Sequence, residues 1–153
     1  MIIKWSERLI GALVYFYSLS KALPFGSELF NQYPPLKILI LPTLPILYLE
    51  RLIPYGSSIL FLILFFAVVQ KIDISYFIRF NTLQSILLYI AIIVINFGLK
   101  LFLIPFTNLA NIQIIFSCIF ILTLSIIIFC IYECLSGRKP DLPIISNAAK
   151  IKL

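Results

Sequence analysis

Few side chains in this sequence could do covalent or proton-transfer chemistry. The six acids are Glu7, Glu28, Glu50, Asp73, Glu133 and Asp141, and each falls near the end of an apolar run or between runs. None is placed as an intramembrane acid pair, a proton relay or a metal cage. The chain has no histidine, so it lacks the ordinary base of neutral-pH catalysis. No glycine-rich phosphate loop occurs. Cys118, Cys130 and Cys134 lie in or at the end of one apolar run, without a Cys-x-x-Cys pair. They read as helix-packing thiols rather than ligands for zinc or an iron–sulfur cluster. An enzyme is not expected, and neither is a cofactor or a metal site.

What the chain does carry is hydrogen-bonding capacity without charge. Asn81, Ser85, Tyr89 and Asn96 recur inside an apolar stretch that has no charged residue from Thr82 to Leu99. At about 100° per residue they fall within roughly 80° of one another on a helix. An unpaired amide in hydrocarbon costs several kcal/mol, so this stripe should face other helices or a wet path rather than lipid. Arg79 and Gln84 stand at the entry of the same stretch. One reading makes Arg79 an interfacial phosphate contact and the amides helix glue. The other makes Arg79, Asn81, Gln84 and Ser85 a hydrophilic groove wall. Amides suit a groove because they donate and accept without imposing charge, so an extended peptide of any sequence could slide past.

The elements that must position these groups are membrane helices. The 153-residue chain is 62% hydrophobic and only 12% charged, with mean hydropathy +1.11. A soluble domain would be near half apolar and a quarter charged. The apolar runs are continuous rather than alternating, which favours helices over a β-barrel. The expected class is an all-α polytopic membrane protein, a four-helix bundle forming one domain. The net charge of +6 comes from Lys and Arg flanking apolar runs. It reads as topology signal and lipid-phosphate contact, not as nucleic-acid binding.

The expected spans are 8–23, 52–70, 78–103 and 109–135, with a tail over 136–153. Pro24 and Gly26 are expected to end the first span, and a polar loop to follow to Pro35. Gly11, Tyr15, Ser18 and Ala22 give that span a small or polar face. Residues 36–49 are broken by Pro42 and Pro45 and read as an interfacial or re-entrant segment, a kinked fifth span being the rival. Pro54 suits a first helical turn. Thr107 or Asn108 can cap the last span, along which Asn111, Cys118 and Ser125 repeat every seven residues as a second packing stripe. Four spans put both termini and the loop at 71–75 on one side. That side has eight Lys and Arg: Lys4, Arg8, Lys71, Arg79, Arg138, Lys139, Lys150 and Lys152. The other has four: Lys21, Lys37, Arg51 and Lys100. The bias makes the terminal side the cytoplasm-equivalent one. In the tail, Pro140 and Pro143 enforce extended chain and Ser146 is placed to cap a short helix. The tail is either a solvated basic end or a docking element.

Phe77-Ile78-Arg79-Phe80-Asn81-Thr82-Leu83-Gln84-Ser85 resembles the Arg-Phe-Asn-x-x-Gln-Ala stretch of the twenty-kilodalton Tic family, a component of the translocon at the inner envelope membrane of chloroplasts. Pro140 to Ala149 is similar to that family's terminal Pro-x-Ile-Pro-x-Ile-Ser-acid-Ala-Ala. The Leu23-Pro24-Phe25-Gly26 turn and the Pro-broken Leu41 to Leu49 segment fit as well. Ser85 stands for a usual Ala and Asn147 for a usual acid. The resemblance implies four membrane helices in the inner envelope and stroma-facing termini. It also implies other translocon subunits and unfolded preproteins in transit as partners, with a homo-oligomer as an option. The Met-Ile-Ile-Lys-Trp start lacks the character of a transit peptide, and with the Ile-rich composition it agrees with a plastid-encoded member. Two other functions stay open on the residues alone: a small-solute channel or carrier, and a purely structural scaffold subunit.

Overall fold

The computed structural model describes residues 3–103, 105 and 108–142. Pro143, Ser146 and Thr107, named above, lie outside the described residues. Among the described residues every regular element is helical. Helix α1 (Trp5–Leu13) continues through Val14 into α2 (Tyr15–Ala22). The chain then tightens into a 3₁₀ turn, Leu23–Gly26, and resumes as α3 (Ser27–Gln32). The expected stop at Leu23 is therefore corrected. The apolar helical run extends from Trp5 to Gln32, and the loop expected after Gly26 is largely helix. Pro24 is tolerated because it sits in the first turn of the 3₁₀ segment, where its missing N–H is not needed. Gly26 serves packing, not termination: a Cβ there would lie 3.0 Å from the Phe120 ring.

The next arm is a 3₁₀ segment, Pro34–Thr43, followed by α4 (Leu44–Leu52). The following arm is α5 (Gly56–Ile63) running into a π-helical stretch, Leu64–Val69. The two arms meet at 114°, as a broken span or a re-entrant loop does. Pro54 precedes α5 rather than opening it. Tyr55 adopts left-handed backbone, φ 60°, and Gly56 turns directly against the α4 end, where a Cβ would lie 2.5 Å from the Glu50 carbonyl oxygen.

Helix α6 (Tyr76–Gly98) starts at Ser75, whose Oγ accepts from the Ile78 N–H at 3.5 Å, and passes into a π-type segment, Leu99–Leu103. Helix α7 is Leu109–Leu135. Asn108 occupies its N-cap position in extended conformation without a side-chain cap bond. The C-terminus closes with Gly137 at φ 74°: Gly137 N–H donates to the Cys134 carbonyl and Arg138 N–H to that of Glu133. That is a Schellman stop, in which glycine takes the left-handed position.

Paired residues rise together along α1–α2 and α6, from Tyr15 with Asn81 to Ser18 with Ser85, so these helices are parallel. Helix α7 is antiparallel to them, with Phe25 against Phe116 at one end and Cys134 against Asn81 toward the other. Helix α5 runs antiparallel to α6, from Ser57 beside Tyr89 to Val69 beside Arg79. The first apolar helix is central: 56% of its span is buried, against 28% and 22% for those over α6 and α7. Its hydropathy is also the lowest of the three. A helix enclosed by protein can carry polar groups that lipid would reject.

Candidate functional site: a buried amide and hydroxyl seam

The seam forms where α6 lies along α1 and α2. Gly11 removes one side chain there; a Cβ on it would meet Phe77 at 2.9 Å and the Asn81 amide at 3.3 Å. That close approach brings the Tyr15 hydroxyl to 3.1 Å from both Asn81 Oδ1 and Gln84 Oε1. Asn81 Nδ2 donates to the Phe77 carbonyl at 2.8 Å, and Cys134 Sγ donates to Asn81 Oδ1 at 3.0 Å. Gln84 Nε2 donates to the Pro140 carbonyl at 3.1 Å. One turn further on, Ser18 and Ser85 hydroxyls pair at 2.7 Å, and Ser85 Oγ donates to the Val14 carbonyl at 2.7 Å. A side chain inserted into the helix ladder explains the break between α1 and α2 at Val14. Asn81 and Gln84 are fully buried.

Tyr89 is buried further along α6. Its ring stacks on Tyr17 at 4.3 Å between centroids, and its hydroxyl bonds Ser57 of α5. Asn96 is half-buried and separate from this seam, lining a lateral cavity instead. Arg79 donates from Nε to the Val69 carbonyl at 2.8 Å. It thus satisfies a carbonyl at the end of the π stretch, where cations are favoured. Pro140 is buried and supplies its carbonyl to Gln84.

The seven-residue stripe on α7 is corrected. Asn111, Cys118 and Ser125 are exposed. Ser125 satisfies itself by donating to the Ile121 carbonyl at 2.8 Å, so it needs no neighbouring helix. The buried seam is instead Phe120, Thr123, Ile127, Cys130 and Cys134.

Sequence reasoning missed one charged pair. Lys21 Nζ, read as snorkelling outward, lies 2.7 Å from Glu50 Oε2 and 5.7 Å from the Tyr89 ring centroid. The Glu50 side chain is 9% exposed, and its other oxygen is buried without a partner. This pair ties α4 to α2. The signal was Lys21 itself: its helix continues eleven residues beyond it, to Gln32, so the side chain is not at a helix end.

The end of the bundle that carries the N-terminus also carries the 71–79 turn and the start of the tail. Arg8 packs over Gly137, and Lys139 lies 4.2 Å from the Tyr76 ring centroid. Among the described residues no cluster of three or more potential metal ligands occurs.

The family model described as "Chloroplast import apparatus Tic20-like" matches residues 3–149. A Tic20 family protein of Synechocystis sp. is 36% identical over 94% of this chain and 90% of its own length. Protein TIC 20-v, chloroplastic, of Arabidopsis thaliana is 32% identical over 94% of this chain and 69% of its own. The Tic20 family protein Ycf60 of Pyropia yezoensis is 29% identical, covering 97% and 76% respectively. With a helical bundle, a Pro-containing bent pair and a polar seam at the matched motif, this chain belongs to the Tic20-like family of the chloroplast import apparatus.

Proposed function

We propose that the protein is a membrane subunit of the plastid inner-envelope import translocon, with both termini in the stroma, and contributes to the preprotein-conducting path. The family match over residues 3–149 supports the import role. The eight-to-four distribution of Lys and Arg supports the orientation. The observation that carries the path assignment is the Asn81–Gln84–Ser85 seam: amides and hydroxyls concentrated inside an otherwise apolar bundle. Within one copy the seam is closed by its own hydrogen bonds and by Pro140. A path for a polypeptide therefore needs other translocon subunits or further copies, since a bundle of this size is filled by side chains.

Single cysteines at Ser85, Tyr89 and Ile93 test this in native membranes holding an arrested precursor. Because Ser85 and Tyr89 are buried, the path reading requires the seam to part during transport: crosslinks from positions 85 and 89 to the arrested precursor, and none from 93 on the outer face, are the expected result. Absence of precursor adducts at 85 and 89 would favour a scaffold. That second reading has its own support: Asn81, Gln84 and Ser85 already find partners within the monomer.

A further inference from the structure

At the end of the bundle opposite Arg8 and Gly137, a cavity of about 300 Å³ opens between the α2–3₁₀ turn and α6. Its polar wall is Lys21, Asn96 and Lys100; Ile92, Ile93 and Phe97 form much of the rest. We propose that this cavity is a binding site for an anionic phospholipid, with the phosphate between the two lysines and an acyl chain along Ile93 and Phe97.

Four basic residues are assigned to this end of the chain, Lys21, Lys37, Arg51 and Lys100, and two of them line this one cavity. They arrive from helices that are distant in sequence, so local chain spacing does not explain the pairing. The Glu50 carboxylate lies 2.7 Å from Lys21 Nζ, and Glu50 is not one of the residues lining the cavity. It fixes the Lys21 side chain, while Lys21, Lys100 and Asn96 all line the wall. Two ammoniums and one carboxylate leave a net positive site, complementary to a singly charged phosphodiester. Lys100 stands near the end of the apolar helix Tyr76–Phe102, the depth at which headgroups lie. Ile93 and Phe97 are 42% and 68% exposed on the outer surface, so the cavity opens sideways toward acyl chains. An acidic peptide would match the charge but not that lateral apolar wall.

The test is native mass spectrometry of the full chain released from nanodiscs of phosphatidylcholine doped with phosphatidylglycerol. One phosphatidylglycerol retained in preference to phosphatidylcholine is the expected result. Lys100→Gln should lower its occupancy about fivefold, the effect of one basic side chain near a membrane surface. Asn96→Leu should lower it too, and Lys37→Gln, on the same side but outside the cavity, should not. Lys21→Gln is avoided because it strands Glu50; unchanged thermal midpoints establish that Lys100→Gln and Asn96→Leu remain folded. Equal retention of the two lipids, unchanged occupancy in Lys100→Gln, or displacement by millimolar inorganic phosphate or an acidic peptide would overturn the proposal.

Discussion

Gln84 is fully buried and bridges two elements, accepting from the Tyr15 hydroxyl and donating to the Pro140 carbonyl. Replacing it by leucine leaves the Pro140 carbonyl without this donor, while the Tyr15 hydroxyl keeps Asn81. Gln84→Leu should destabilise the protein by about 1–3 kcal/mol, seen as a lower thermal midpoint in detergent. Ser85→Ala should cost less, about 1 kcal/mol, because Ser18 retains the Ser85 backbone carbonyl 3.1 Å away. At Gly26 the limit is space rather than polarity. Gly26→Val drives methyls into Phe120 and should cost about 1–3 kcal/mol in the same assay.

Among the elements, α4 and α5 with its π-helical continuation pack on α2 and α6 through Ile46, Leu60, Phe61 and Val69, and two polar contacts flank their shared bend. Lys21 meets Glu50 just before it, and Tyr89 meets Ser57 just after it. Lys21→Met leaves a largely buried carboxylate unpaired. Because Lys21 is itself 24% exposed, the loss should be about 2 kcal/mol, short of the 3–5 kcal/mol of a fully buried pair. Lys21→Met with Glu50→Leu should recover most of that loss; a double variant no better than the single one would show that the pair does not anchor α4. The bend also depends on Gly56. Gly56→Ala puts a Cβ 2.5 Å from the Glu50 carbonyl oxygen, against backbone that cannot yield, and should cost about 1–3 kcal/mol, read as a lower thermal midpoint, whereas Gly98→Ala, whose Cβ meets nothing within 4 Å, should not.

On the scale of the molecule, the proportions matter more than any one contact. The central helix is the least apolar of the three unbroken ones and the most buried, while α7 is the most apolar and the most exposed. The outer surface is consequently apolar, and the interior is plugged by Tyr15, Phe25, Phe80 and Phe120. Among the described residues the bundle leaves no lumen of its own for a polypeptide. Mild-detergent native gels should therefore show the protein in an oligomer or a large complex; a monomer alone would count against a share in the conducting path.

The sequence by itself determined the class, the existence of long apolar helices over about 78–103 and 109–135, and the small polar face Gly11, Tyr15, Ser18 and Ala22. Each rests on local quantities: apolar content, run length and helical period. It also identified the family, since the Arg79 to Ser85 and Pro140 to Ala149 motifs are local strings. Only the tertiary structure decided which face of α7 is inside, that Gly26 packs rather than stops a helix, and that Lys21 has Glu50 as its partner. The physical reason is that lipid and protein core are both apolar, so hydropathy marks a membrane helix without telling its inner face from its outer one. Hydroxyls blur the distinction further, because Ser125 can satisfy itself on its own helix whereas Ser85 reaches across to Val14. An ion pair 29 residues apart likewise has no period to read; it exists because the chain bends by 114° and returns α4 to α2.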